Sequence, residues 1–155
     1  MNDGGVTGSV ADLYLELRDG SGRVFLDTQP LTKIDTQVST RYARDIACDY
    51  YNLDCTRYDF IYTIRAPSSI IGGPSAGAAI SALTAVAVMD VDHNENVAVT
   101  GTINSGGTIG PVGGVAAKIV AASEVVDTVL VSYGSLQLPH NESNITIAQM
   151  INGTP

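Results

Sequence analysis

A glycine-rich turn that leads into a long uncharged segment is the feature that most constrains the fold of this chain. Gly72 and Gly73 precede Pro74, and no charged residue follows until Asp90. Proline suits the first turn of a helix, because its φ is already restricted and its missing N–H is not needed there. The segment therefore predicts an apolar helix over residues 74–89 that begins directly after a glycine hinge.

Residue periodicity predicts the elements that precede this helix. Alternating apolar and polar residues at 10–17 and 23–27, separated by turn residues, predict a β-hairpin. Helical spacing predicts a helix over 36–50, with its N-cap near Asp35 or Thr36. The next predicted strand covers 58–65, and we expect Ala66-Pro67 to end it.

The second half of the chain continues as a mixture of strands and helices. The predicted elements are a strand at 97–102, a turn at 104–107, a strand at 108–112, a helix at 115–126, a buried strand at 128–132 and a short helix at 145–151. Strands in pairs with helices between them indicate the α+β class, as a single two-layer domain with β-hairpins and three to four helices.

Composition limits the size and the partners of the protein. The 155 residues are 45% hydrophobic, which suits one domain, assigned to residues 10–135 between a linker at 1–9 and an extension at 136–155. A formal net charge of −8 disfavours nucleic acid as a partner. No apolar run reaches the roughly 18 residues of a membrane span, so we expect any membrane anchor to lie outside this chain.

The two cysteines leave two interpretations open. Cys48 and Cys55 lack the histidine partners of a four-ligand zinc site, so a metal site is not expected. They are either ordinary thiols or a bridge across a helix end, which would imply an oxidising compartment. Glycosylation-type tripeptides at Asn141, Asn144 and Asn152 also favour an extracytoplasmic or membrane-associated location for the full-length protein.

Lys118 is the only lysine or arginine after Arg65. The side chains three and four positions away on the predicted helix are small or apolar, namely Gly114, Val115, Ala121 and Ala122. Such surroundings disfavour the charged form and lower the pKa of an amine, which then becomes usable as a general base. The alternative is that Lys118 extends along the apolar surface and keeps its charge in water.

Ser75 stands where the predicted helix begins, so unpaired N–H groups there could stabilise an oxyanion beside its hydroxyl. The alternative is a helix start whose glycines only permit tight packing.

Residues 73–77 also match the G-x-S-x-G elbow of α/β-hydrolases. We reject that interpretation, because the strand before it ends at Ala66-Pro67 and 155 residues are too few for that fold. The acid and histidine it needs, Asp127 with His140 or Asp92 with His93, all lie in polar loops.

Three ordered motifs resemble the proteolytic domain of Lon proteases, which use a Ser–Lys dyad. Residues 72–77 (GGPSAG) resemble the family's D-G-P-S-A-G, 98–103 (AVTGTI) resemble A-M-T-G-E-I, and 111–122 (PVGGVAAKIVAA) resemble P-I-G-G-x-K-E-K-x-x-A-A. Lys118 follows Ser75 by 43 residues, which is the expected spacing. The resemblance covers about 10–132 and is strongest over 72–122.

The resemblance implies roles for particular residues. Ser75 and Lys118 would be catalytic, and Thr100 would hydrogen-bond the lysine amine. Gly73, Pro74 and Ala76 would support the nucleophile. The chain departs from the family pattern in places: Gly72 and Thr102 stand where the family has acids, and Ala116 replaces the first lysine of K-E-K. The lost acids put substrate contacts or subunit packing in doubt.

The implied function is an ATP-independent serine endopeptidase that cleaves unfolded polypeptides. No G-x-x-x-x-G-K-[ST] loop occurs in the chain, and neither a nucleotide nor a metal cofactor is implied. The protein resembles the stand-alone or membrane-tethered Lon-like peptidases of archaea and some bacteria, and a ring of six is implied for the full-length protein. Two alternatives are a phosphate-binding domain related to small-molecule kinases and a catalytically silent assembly module.

Overall fold

The computed structural model describes residues 7–138. The elements in chain order are β1 (Asp12–Asp19), β2 (Val24–Thr32), α1 (Ile34–Tyr50), β3 (Tyr58–Ile71), α2 (Gly77–Met89), β4 (Val97–Thr100), β5 (Thr102–Ile103), β6 (Ile109–Gly110), α3 (Val115–Ser123), β7 (Thr128–Val131) and α4 (Tyr133–Leu136). A short 3-10 helix at Cys55–Arg57 precedes β3. Four α-helices and seven strands within these residues confirm the predicted α+β class.

The main sheet has the order β1-β3-β2, so the predicted hairpin between β1 and β2 is wrong. β3 lies between them, antiparallel to β1 and parallel to β2. The connection between β1 and β2 passes around the start of β3, where Asp59 Oδ1 accepts hydrogen bonds from the amides of Ser21 and Arg23 at 3.0 Å each. The Arg23 guanidinium pairs with the same carboxylate. Residues far apart in the chain therefore decide this strand order.

β3 is longer than predicted, because it continues through Ala66-Pro67 to Ile71. Its pairing with β1 ends at Arg65, and its pairing with β2 shifts register and resumes at Ile70. Pro67 therefore lies at a position where the sheet needs no backbone N–H donor, so the N–H that proline lacks costs no hydrogen bond between strands.

Two helices cover one face of this sheet. The buried core consists of Ala43, Cys48, Cys55, Phe60, Tyr62 and Ile80, with inward-facing residues of β1 packed against it. The Tyr62 hydroxyl and Thr84 Oγ1 are 2.6 Å apart, so this buried pair satisfies its own polar atoms. Helices α1 and α2 thus form the second layer of the domain.

Helix α1 begins at Ile34, two residues before the predicted start, and its N-cap is Lys33. Asp35 lies inside the first turn rather than at the cap, which corrects the cap prediction. At the other end a disulfide joins Cys48 to Cys55, with a Cα–Cα distance of 6.1 Å. Of the two interpretations of these cysteines, the bridge is confirmed.

The second half departs from prediction mainly at element ends. The predicted strand 97–102 is interrupted at Gly101, so β4 pairs with β7 in parallel while β5 and β6 form the short antiparallel hairpin. Helix α3 ends at Ser123 rather than at residue 126, because residues 124–126 turn away from it. β7 is half-exposed rather than buried. Helix α4 was not predicted, and the helix predicted at 145–151 lies outside the described residues.

None of the helices within residues 7–138 is long and apolar enough to cross a membrane.

Candidate active site

Ser75 lies in a turn over residues 73–76, here named the Ser75 turn, and not in the first turn of a helix. α2 begins at Gly77, three residues after the predicted start at Pro74. The Gly77 amide donates to the Pro74 carbonyl at 3.0 Å, and the Ala78 amide donates to the Gly101 carbonyl at 3.0 Å. The expectation that the helix-start amides are free is therefore wrong for these two residues. Among residues 7–138, nothing accepts a hydrogen bond from the amide of Ser75 or Ala76.

Gly101 joins the Ser75 turn to the junction between β4 and β5. Its amide donates to the Ser75 carbonyl at 2.9 Å, while its carbonyl accepts from Ala78. A Cβ at this position would lie 2.5 Å from Ile109 Cγ2 and 3.2 Å from Ala78 Cβ, so a larger residue would have to displace Ile109. Because Thr100 directly precedes Gly101, this pair of bonds brings the backbones of Ser75 and Thr100 close together.

The start of the Ser75 turn is held by α1. Gly73 has a φ of +90°, a value that favours glycine. Its amide donates to Asp35 Oδ2 at 3.0 Å, and its carbonyl accepts from Thr36 Oγ1 at 3.4 Å. The sequence suggested Asp35 only as a helix cap, and no local pattern indicates a partner 38 residues away.

Lys118 lies in α3, which begins after Gly114 at a φ of +66°. The neighbouring positions Val115 and Ala122 are buried, and Lys118 itself is half-buried. Burial lowers the pKa of the Lys118 amine below its ordinary value. The direction agrees with the prediction from apolar neighbours, while the half-exposed side chain retains part of the solvent contact that the alternative required.

A second feature beside Lys118 was missed by sequence analysis. Gly8, which the sequence places in a linker, packs on the first turn of α3. A Cβ at Gly8 would lie 2.1 Å from the Ala117 carbonyl oxygen and 2.9 Å from the Lys118 amide nitrogen. The segment that leads into β1 therefore reaches the helix that carries the candidate base.

The helix of Lys118 and the turn of Ser75 are connected through two parallel strands. Val131 of β7 pairs with Thr100 of β4 and also packs in the small apolar cluster around Val115 of α3. Within residues 7–138, no hydrogen bond involves the side-chain polar atoms of Ser75, Thr100 or Lys118. The Ser75–Lys118 dyad and the Thr100 contact therefore stay predictions.

One of the objections to the hydrolase-elbow interpretation is not met by the structure, whereas other objections stand. The extended run before Ser75 is continuous, contrary to the prediction, although Pro67 and Ile70 are exposed rather than buried. His93 is exposed, and His140 lies outside the described residues. Asp127 is engaged with Asn96, whose Oδ1 accepts from the Asp127 amide at 3.0 Å.

Comparison with known proteins supports the resemblance seen in the motifs. A family model described as the Lon protease (S16) C-terminal proteolytic domain matches residues 28–137. A Lon protease of Fervidobacterium nodosum is 30% identical over 114 residues, which cover 71% of this chain and 14% of that relative. The chain thus spans about a seventh of the relative's length. The predicted relationship is confirmed, and the chain belongs to the Lon protease (S16) family as a C-terminal proteolytic domain.

Proposed function

We propose that this chain is a serine endopeptidase that cleaves unfolded polypeptides, with Ser75 as nucleophile and Lys118 as general base. Membership of the Lon family supports a serine peptidase in general. The observation that carries the finer proposal is Lys118, which is half-buried among apolar neighbours so that burial lowers its pKa. We assign the proteolytic unit to residues 10–135, which contain most of the family match.

The proposed reaction has two stages. Ser75 Oγ bonds to the substrate carbonyl carbon while its proton moves to Lys118 Nζ, and the C–N bond then breaks as Lys118 returns the proton to the leaving amine. Water next attacks the acyl-enzyme, giving a proton to Lys118, and the C–Oγ bond breaks as Ser75 recovers its proton. The amides of Ser75 and Ala76, which have no acceptor among the described residues, are suited to stabilise the oxyanion.

We propose that the activity of this domain by itself does not depend on ATP, since no phosphate-binding loop of the Walker type lies within these 155 residues. We also propose that the full-length protein forms a ring of six subunits and faces an oxidising compartment. The Cys48–Cys55 bridge supports the second part, since disulfides persist in such compartments.

Hydrolysis of casein by the wild type, Ser75→Ala and Lys118→Ala tests the dyad. The rate of both variants should fall at least about a thousandfold. Removing one residue of a catalytic unit lowers the rate nearly as much as removing the whole unit. Ser123→Ala, at an exposed serine of α3, is the matched control and should keep full activity. Equal hydrolysis by all four proteins would remove the dyad.

Labelling with a serine-directed phosphonate separates the proposal from a silent assembly module. The wild type should be labelled at Ser75, and Ser75→Ala should not be labelled. An unlabelled wild type that still forms rings would favour the silent module, and binding of inorganic phosphate with no labelling would favour the kinase-like alternative.

A further inference from the structure

The peptide group between Gly72 and Gly73 lies directly before the residue pair Pro74-Ser75 in the chain. Because neither residue has a Cβ, reorienting this peptide meets little steric resistance. The space beside Gly73 is open, since a Cβ there would have no atom within 4 Å. A hydrogen bond to the Gly73 amide therefore helps to fix the orientation of this peptide.

Asp35 provides that hydrogen bond. Its Oδ2 accepts from the Gly73 amide at 3.0 Å, and its Oδ1 accepts from the Thr36 amide at 2.8 Å. The second bond anchors the carboxylate to the first turn of α1, which also favours a negative charge at its N-terminus. The carboxylate is thus held by the start of α1 as well as by Gly73.

Neighbouring residues of α1 complete the contact. Thr36 is fully buried, and its hydroxyl donates to the Gly73 carbonyl at 3.4 Å. The Lys33 amide donates to the Ile71 carbonyl at 2.9 Å, and a Cβ at Gly72 would lie 2.8 Å from Lys33 Cδ. Three residues at the start of α1 therefore hold the three residues before Pro74.

We propose that Asp35 is a positioning residue for the Ser75 nucleophile. Its carboxylate orients Gly73, and Pro74, whose φ is restricted, transmits that orientation to Ser75. Gly101 fixes the far side of Ser75 through its bond to the Ser75 carbonyl. The inference rests on the proposed function, since it gives Asp35 its role through the Ser75 hydroxyl.

The chemistry of the carboxylate predicts a graded series of variants. Asp35→Ala removes both acceptors. Asp35→Asn places an NH2 group, which cannot accept, at one of the two oxygen positions, so either the bond to Gly73 or the bond to Thr36 is lost. Asp49→Ala, at an exposed aspartate near the other end of α1, is the matched control.

The test measures kcat and KM for a short fluorogenic peptide, together with the rate at which a small fluorophosphonate labels Ser75. Asp35→Ala should lower both kcat and the labelling rate by about 10- to 100-fold, the effect of misplacing a reacting group by about 1 Å. Asp35→Asn should fall between Asp35→Ala and the wild type, and Asp49→Ala should match the wild type. KM and the pH midpoint of activity should be unchanged, because Lys118 remains the base.

The outcomes separate this inference from the function on which it rests. Wild-type kcat and labelling in Asp35→Ala would overturn the positioning role and leave the dyad intact. So would a loss confined to KM or a shifted pH midpoint. No Ser75-dependent labelling in the wild type would overturn the proposed function itself, and the inference with it. If Asp35→Ala does not fold, Asp35→Asn decides by the same criteria.

Discussion

At the residue scale, Lys118 is stabilised in its neutral form by what surrounds it. Burial lowers the pKa of its amine, and no carboxylate of the described residues opposes that effect. A protonated lysine gives up hydration when it is buried, whereas a neutral amine gives up much less. The residue whose charge is disfavoured in the folded state is thus the one that we propose as acceptor of the serine proton.

We predict that Lys118→Arg is as inactive as Lys118→Ala. A guanidinium stays protonated at any working pH and cannot take a proton from Ser75. The measurement is kcat/KM for an unstructured peptide, with melting curves to verify that both variants are folded. Substantial turnover by Lys118→Arg would mean that the residue supplies only a positive charge.

The pH dependence of the wild type should follow from the same shift. Activity should rise with pH as the amine deprotonates, with a midpoint below the ordinary lysine value of about 10.4. The unfolded state binds more protons than the folded state between these two pKa values, so the free energy of unfolding should also rise with pH there. Rates and urea melts across this range test both trends, and a midpoint at or above the ordinary value would contradict them.

At the element scale, the path of the chain between β1 and β2 depends on one carboxylate. Asp59 is buried at the start of β3 and accepts hydrogen bonds from both the backbone and the side chain of the β1–β2 connection. The Arg23 guanidinium and the Ser21 amide hold the pKa of Asp59 well below its usual range. The ionised form is thus part of the folded structure.

Asp59→Asn should lower the free energy of unfolding at neutral pH, because an amide cannot accept all of these bonds. A depressed carboxyl pKa stabilises the fold above its unfolded value of about 3.9, and that stabilisation is lost as the pH falls below it. The variant should therefore show a weaker acid-induced loss of stability than the wild type. Urea melts at several pH values measure this, with Asp19→Asn, at an exposed residue of β1, as control. Parallel profiles for wild type and variant would contradict the role of Asp59.

The disulfide closes a short loop between α1 and β3. Both of its cysteines are buried in the same core cluster as Phe60 and Ile80. Replacing both by serine should destabilise the domain by about 2 to 3 kcal/mol, as expected for removing a short loop's cross-link. Mass measurement after alkylation without reductant tests the bridge, and thermal melts test its contribution. Two alkylated thiols in protein purified under oxidising conditions would contradict it.

Local pattern was enough to predict the class of the fold, the presence of α1, α2 and α3, and the family motifs. It was not enough for the strand order, because the contacts of Asp59 join residues 36 and 38 positions apart. Pro67 suggested that β3 would end there. The strand continues, because Pro67 lies where β3 is paired with neither β1 nor β2. Asp35 was missed for the same reason as Asp59, since its partner is distant in sequence.

At the scale of the whole molecule, the candidate site is assembled from segments spread along the chain. Gly8 reaches the helix of Lys118, Asp35 holds the start of the Ser75 turn, and Gly101 holds its end. These contacts form only when the sheet, α1 and the β4–β7 pair are all in place. Conditions that unfold the domain should thus abolish activity together with the fold.

The isolated domain should cleave flexible chains, leave stable folded proteins intact and show no response to ATP. A peptide carbonyl must come within about 3 to 3.5 Å of the Ser75 hydroxyl, and a folded substrate offers such a segment only when it opens locally. These 155 residues contain no Walker-type loop, so we expect no binding of ATP by this domain that could drive the opening of the substrate. The rate should therefore follow the opening equilibrium of the substrate when opening is fast relative to cleavage. The measurement compares one folded substrate with a destabilised variant of it, each with and without ATP and magnesium, and uses Ser75→Ala as the blank. The destabilised variant should be cleaved faster in proportion to its open population, whereas stimulation by ATP or equal cleavage of both substrates would contradict an ATP-independent peptidase of unfolded segments.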